Sequence, residues 1–203
     1  MDILKFIFPP ACGICGKIGS YICKDCYEII KDYFYKNSET DIFYLLEYKD
    51  IVRDKMIAYK FNEKAYLHNM FCEIFVKNKL ACEFIQNYDI IIPVPMYKSK
   101  KSLRGYNQCE LMARDLADKF NLMLETDILL KNKSTKMQSS LGKVERTKNV
   151  QGAYKINYSD KIKGKNVVLL DDIYTTGATI KECKKMLKLS QCNNIGTIII
   201  AKD

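Results

Sequence analysis

Val167-Val168-Leu169-Leu170-Asp171-Asp172-Ile173-Tyr174-Thr175-Thr176-Gly177-Ala178-Thr179 is the stretch on which the fold turns. Four uninterrupted apolar residues predict a strand buried on both faces. Two adjacent carboxylates come directly after it. Charges at the end of a buried strand are costly unless cations, hydroxyls or amides meet them. Three hydroxyl side chains and Gly177 come next, and then a helix from about Thr179 to Leu189. Backbone amides at a helix N-terminus favour an anion. Gly177 lets the turn pass close to it. The package suits a sugar phosphate: Asp171 and Asp172 for sugar hydroxyls and a magnesium shell, Thr175, Thr176, Gly177, Ala178 and Thr179 for the phosphate. The alternative is a plain helix cap beside two surface acids. A cap alone does not need two acids directly after a fully apolar strand.

Two further unalternated runs flank this stretch. Asp89-Ile90-Ile91-Ile92 is ended by Pro93-Val94-Pro95, and Ile198-Ile199-Ile200 lies near the C-terminal end. A helix at about 106–120 puts Cys109, Met112, Ala113, Leu116, Ala117 and Phe120 on one face. Short continuous runs separated by amphipathic helices predict an α/β fold with a parallel sheet and crossover helices. Ligands of such sheets sit outside the carboxyl ends of the strands, which directs attention to the residues just after Ile92 and Leu170. Upstream, residues 43–48 predict a strand, 50–61 a helix, and 66–80 another helix with the stripe Leu67, Met70, Phe71, Ile74 and Phe75. His68, the only histidine, lies off that stripe and is expected at the surface. Without it no Ser/His/Asp or Cys/His constellation can be assembled.

The 203 residues suffice for one good-sized domain with a small appendage. No run of eighteen apolar residues exists, which excludes a spanning helix. The first eight residues are interrupted by Asp2 and Lys5 and stopped by Pro9-Pro10, unlike a signal peptide, so a cytoplasmic location is expected. The net charge is +9, and the whole excess lies within residues 96–165, with 16 basic and 7 acidic groups. That field could attract an anion or a nucleic acid. A lysine-favouring composition is the plain alternative, because 29 of the 33 basic residues are lysine.

Nine cysteines are present, and four fall as Cys12-x2-Cys15-x7-Cys23-x2-Cys26. Two facing CxxC knuckles close a tetrahedral site and predict one structural zinc. Gly13 and Gly16 sit in and after the first knuckle, where the backbone must turn. Disulfides fit a cytoplasmic chain poorly, and a redox pair needs no second CxxC nearby. Cys72, Cys82, Cys109, Cys183 and Cys192 are isolated among apolar residues and are expected to pack the core. The organisation read from these patterns is a zinc module over residues 1–30, a hood region over 31–88 and a core over 89–203.

The stretch from Val167 resembles the PRPP-binding signature of type I phosphoribosyltransferases: four apolar residues, two acids, two mostly apolar residues, then Thr-Thr-Gly-x-Thr. Tyr174 stands where the broad signature usually has an aliphatic residue. The wider layout is similar to the ComF family of competence-associated phosphoribosyltransferases. Phe8-Pro9-Pro10 and the CxxC pairs resemble its zinc module. Pro93-Val94-Pro95 with Leu103-Arg104-Gly105-Tyr106-Asn107-Gln108 resembles its P-V-P…R-G-aromatic-N-Q segment. Thr135, Gln138, Leu141, Glu145-Arg146, Asn149 and Gly152-Ala153-Tyr154 resemble a third segment. The match runs from Phe8 to about Thr179.

This resemblance implies a type I phosphoribosyltransferase-like sheet flanked by helices, with Asp171 and Asp172 at the ribose hydroxyls and magnesium, and 175–179 on the 5-phosphate. It implies a pyrophosphate loop over 95–104 carrying Lys98, Lys100, Lys101 and Arg104, the last a directed fork for phosphate oxygens. It implies a closing loop over 131–149 that brings Arg146 and several lysines, Lys131 included, onto the leaving group. The expected chemistry is magnesium-dependent phosphoribosyl transfer to an unspecified acceptor, in the context of DNA uptake. The alternative is a non-catalytic single-stranded-DNA-binding protein of the competence machinery. The tyrosines Tyr97, Tyr106, Tyr154 and Tyr158 would serve as stacking platforms in that case.

Overall fold

The computed structural model describes residues 9–61, 64–134 and 150–203. Its centre is a five-stranded parallel sheet of β1 (Ile42–Glu47), β2 (Ile90–Pro93), β3 (Met123–Leu124), β6 (Asn166–Tyr174) and β7 (Asn194–Lys202), in the order β1-β7-β6-β2-β3. The hairpin of β4 (Leu129–Lys131) and β5 (Tyr154–Ile156) is antiparallel and separate. The helices are α1 (Lys24–Lys31), α2 (Asp50–Phe61), α3 (Leu67–Lys77), α4 (Lys79–Ile85), α5 (Lys98–Arg104), α6 (Gln108–Phe120) and α7 (Ala178–Lys188). The α/β class with a parallel sheet expected from the apolar runs is the observed one.

Alternation along the strands explains why those runs are unbroken. Val168, Leu170, Ile198 and Ile200 face one core with residues of α1, α2, α3, α4 and α6. Val167, Leu169 and Ile199 face a second core with α7 and the β4–β5 hairpin. Each strand therefore meets apolar side chains on both faces, and a polar residue at either parity would be stranded.

Three local expectations are corrected. Residues 66–80 do not form one helix: Asn78 is extended (φ −92°, ψ 111°) and its side chain accepts the Ala81 N–H at 3.0 Å, ending α3 and starting α4. The segment 95–104 is not a plain loop. After extended Tyr97 the good helix formers Lys98–Arg104 make α5, and Gly105, left-handed at φ 82°, stops it. β6 does not stop at Leu170; Asp171 pairs with Ile199 and Tyr174 with Lys202, so the acids belong to the strand.

His68 is not a free surface residue either. Its Nδ1 lies 2.6 Å from Asp115 Oδ2, joining α3 to α6. Of the isolated cysteines, Cys72, Cys109 and Cys183 are buried, whereas Cys82 and Cys192 are only half-buried.

The four-cysteine segment packs directly on α3. Gly13 begins the turn over 13–15 and also leaves room for this approach: a Cβ there would sit 2.7 Å from Met70 Sδ and 2.9 Å from Leu67 Cδ2. The Tyr21 N–H donates to Glu73 at 2.9 Å, and the Tyr27 hydroxyl donates to the Lys77 carbonyl at 2.9 Å. Cys12, Ile22, Cys23, Cys26 and Ile30 share one core with Leu67, Met70, Phe71 and Met112.

Candidate active site and metal centre

The acid pair sits at the carboxyl end of the central strand β6, where a parallel sheet places ligands. Both carboxylates are buried, Asp171 at 9% and Asp172 at 7% exposure. Successive strand residues point to opposite faces. Asp172 accordingly meets α2 and α6, while Asp171 feels Lys131, and Tyr154 and Cys183 feel its charge in turn.

Asp172 is engaged at both oxygens. Its Oδ1 accepts Lys60 Nζ at 2.8 Å and the Ile173 N–H at 2.6 Å, and its Oδ2 accepts the Gln108 side-chain amide. Asp171 Oδ1 accepts the Asp172 N–H at 2.9 Å and the Cys109 thiol at 3.7 Å. Burial, then the charge of Asp172, pushes the Asp171 carboxyl up from 3.8 to about 7; Lys60, the Asp172 N–H and Lys131 oppose the rise. A buried anionic pair with too little counter-charge fits a hard divalent cation. The ligand atoms of Cys109, Asp171 and Asp172 lie within 4.8 Å of one another.

The N-terminus of α6 carries the polar support. Asn107 caps it by accepting the Cys109 N–H at 3.1 Å, and its own amide donates to the Val94 carbonyl at 3.1 Å. This pins the helix to the end of β2 and aims Gln108 at Asp172. The Asn-Gln pair of the sequence thus has a physical reason: one residue caps, the next holds the acid. Arg104 Nη1 donates to Gln108 Oε1 at 2.5 Å, and its guanidinium lies 5.2 Å over the Phe61 ring. Arg104 therefore reaches the acids through Gln108.

The other predicted cations divide. Lys101 pairs with Glu110 at 2.7 Å on the exposed side of α5. Lys100 is half-buried, and burial followed by the Arg104 charge lowers its pKa. Lys131 is lowered too, by burial first and then by Lys100, and it lies 5.1 Å from the Tyr154 ring centroid. Lys131 thus feels the charges of both Lys100 and Asp171. Arg146, with Thr135, Gln138, Leu141, Glu145 and Asn149, lies outside the described residues.

Downstream of the acids, Thr175, Gly177, Ala178 and Thr179 line a cavity of about 10 Å³ with Asp171, Ile173, Tyr174 and Ile180. That is room for about one water. Thr176 does not line it; its hydroxyl accepts the Ala178 N–H at 3.4 Å. Gly177 is left-handed at φ 71°, and a Cβ there would meet Tyr174 Cζ at 2.7 Å. The tyrosine at the unusual signature position therefore lies against the glycine. Tyr174 is also held edge-on by Tyr44 at 5.2 Å between centroids.

The four N-terminal cysteines form a second, separate centre. Their sulfurs lie within 4.8 Å of one another, and no disulfide links them. The Gly16 N–H donates to the Cys12 carbonyl at 2.8 Å and closes the first knuckle. Cys23 stands at the N-cap of α1 and Cys26 one turn inside it. Burial acts to raise the Cys12 thiol, but backbone N–H groups of Cys15, Cys23 and Ile14 outweigh it and bring the value down to about 6. Cys26 is raised instead, by burial and by the sulfurs around it. Four sulfurs with inward N–H groups could hold a structural metal.

Lys60 and Cys109 are the site residues that sequence reasoning missed. Lys60 had a signal: it continues the buried stripe Val52, Met56, Tyr59 of α2, where an unpaired lysine is disfavoured. Cys109 had none, because core packing and contact with an acid look alike in a helical stripe.

A parallel sheet that delivers an acid pair to a glycine turn and a helix N-terminus defines a phosphoribosyltransferase-type domain. The family described as "Phosphoribosyl transferase domain" matches residues 107–203. The chain is 26% identical to "Competence protein F" of Haemophilus influenzae, over 88% of this chain and 79% of that one. It is 28% identical to "Competence protein ComFC" of Bacillus subtilis, over 87% of this chain and 71% of that one. It is 27% identical to "DNA utilization protein YhgH" of Escherichia coli O157:H7, over 51% of this chain and 44% of that one. With the four-cysteine segment preceding this domain, the chain is similar to these competence proteins over most of its length. Among the described residues no helix is long and apolar enough to cross a membrane.

Proposed function

We propose that this chain binds PRPP with magnesium at the β6 end and transfers its phosphoribosyl group to an acceptor, with pyrophosphate leaving, in the service of DNA uptake. The observation that carries this reading is the buried acid pair, joined within three residues to the Thr175–Thr179 turn and the N-terminus of α7. The turn and the α7 amides would hold the 5-phosphate. Asp171 and Asp172 would hold ribose hydroxyls and the cation. Magnesium would supply positive charge to the departing pyrophosphate. Lys100 and Lys131, both depressed by burial and by neighbouring positive charge, would regain their charge preference when an anion arrives. Arg104 and Gln108 would orient Asp172. Arg146 would bring positive charge onto the departing pyrophosphate. The cysteine centre would carry zinc, and the protein would act in the cytoplasm.

The test is calorimetric titration of PRPP with and without magnesium. Wild type should bind only with the metal, and Asp172→Asn, still folded, should weaken binding by roughly 100-fold or more, as loss of a charged partner in a buried site does. Equal binding by the two proteins would sink the assignment.

A second reading is single-stranded-DNA binding by the same fold. It is favoured by the names of the relatives and by a groove of about 820 Å³ along α7. Lys181, Lys184, Lys185 and Lys188 line this groove, which reaches Tyr174 and Gly177 beside the phosphate turn. Base stacking gains less support. Tyr154 is buried at 4%, Tyr106 stacks on Tyr59 and Tyr97 is half-buried, leaving Tyr158, exposed at 62%, as the open ring of the four. The expected result is a gel shift whose affinity falls steeply with salt and is reduced in Lys185→Glu/Lys188→Glu. A salt-independent or absent shift removes this reading.

A further inference from the structure

We propose that Lys60 is a built-in counter-ion of the acid pair and competes with an incoming divalent cation for Asp172. The inference rests on the reading that this pair receives a cation-bearing ligand, and it concerns what must move for that to happen. Both Asp172 oxygens are already engaged, by Lys60 and the Ile173 N–H on one and by Gln108 on the other. One lone pair of Oδ2 remains open, so a metal ion approaches Asp172 beside the Lys60 ammonium already on Oδ1.

Gln108 is the partner that stays. It is 5% exposed, its amide oxygen receives Arg104 at 2.5 Å, and its main-chain carbonyl receives the Tyr59 hydroxyl at 2.6 Å. Its neighbour Asn107 ties the helix start to β2. Lys60 is the partner that leaves. It is the next-to-last residue of α2, its side chain retains 18% exposure, and a flexible four-carbon stem gives its ammonium a path to solvent. Two cations within a few ångströms of one carboxylate repel strongly in a poorly solvated site. The lysine-bound and metal-bound arrangements are thus mutually exclusive. In the lysine-bound arrangement Lys60 pairs with Asp172 at 2.8 Å, and Lys60 swings out as the cation enters. Tyr59 and Phe61 flank Lys60, and Phe61 lies under Arg104.

The experiment uses the zinc-loaded full chain and Mn²⁺ alone, followed by electron paramagnetic resonance. Lys60→Met, of similar length and uncharged, should bind Mn²⁺ about tenfold more tightly than wild type or better, the size of effect one nearby unit charge produces. Lys60→Arg should bind as weakly as wild type, and Asp172→Asn should lose the signal. Unchanged or weaker Mn²⁺ binding by Lys60→Met overturns the proposal, as does absence of Mn²⁺ binding in both proteins. A second measurement needs no variant. Reductive methylation read by peptide mass spectrometry should label Lys60 several-fold more slowly than Lys79, whose side chain is 89% exposed. Saturating Mn²⁺ should accelerate Lys60 labelling, and an unchanged or slower rate overturns the proposal. Neither measurement contains PRPP, so failure of the phosphoribosyl reading and failure of this one are distinguishable.

Discussion

Stripping the cysteine centre with a chelator, or replacing Cys26 by serine, is expected to lower Tm by roughly 10 °C or more. Structural zinc contributes many kcal/mol to folding where it organises a segment. A chain of this size loses about 2–4 °C per kcal/mol. The effect should be global because the centre is not an isolated appendage. Cys12, Cys23 and Cys26 are buried in the same core as Met70, Phe71 and Met112. Gly13 lies against α3, and α3 is tied to α6 through His68 and Asp115. The start of α6 in turn carries Gln108 to Asp172. Metal analysis should give about one zinc per chain, and the loss should appear as one cooperative transition shifted downward. An unchanged melting curve after complete metal removal would show that the four cysteines hold no structural ion. Acid should release the metal, since Cys26, raised by burial and its neighbours, must give up its proton to bind.

Asp171→Asn is expected to stabilise the ligand-free protein at alkaline pH while abolishing PRPP binding. The folded carboxyl is pushed from 3.8 up to about 7 by burial and by the charge of Asp172. Between those values the folded protein keeps a proton that the unfolded chain has released. Stability contributed by the neutral group is therefore complete below about pH 4 and is lost as pH rises towards 7. By linkage the loss is roughly 2–4 kcal/mol, about 4–16 °C. Asparagine keeps the shape and has no proton to lose, so its melting temperature should exceed that of wild type at pH 8 and converge with it near pH 4. Melts of both proteins across this range check the claim, because other titrating groups cancel in the difference. Parallel curves would mean that Asp171 ionises freely in the fold. The opposite effects on stability and binding are what a site held ready for a cation entails.

The parallel sheet, the acid pair, the threonine-glycine turn and the cysteine pairs were legible because each is written in neighbouring residues. A strand buried on both faces must be apolar at every position, and Val167–Leu170 is. Two acids directly after it can only emerge at the ligand end. Paired CxxC knuckles bring their own sulfurs together by local turns. The limits of elements were less legible. Asn78 reads as one more residue of a helical stripe, yet its side chain caps the next helix. The lysine-rich run 98–104 reads as a loop by charge and as a helix by propensity, and Gly105 settles its end.

What only the tertiary structure decided is which side chains meet the acids. Gln108 and Asp172 are 64 residues apart in the chain, and Lys60 arrives from a helix in a different part of the sequence. Whether a lysine pairs with Glu110, as Lys101 does, or turns inward near Asp171, as Lys131 does, depends on what covers it. Local pattern determines burial and direction along one element, because both repeat with the element's own period. Pairing between charges depends on distance and desolvation across elements, and those exist only once the helices have packed on the sheet.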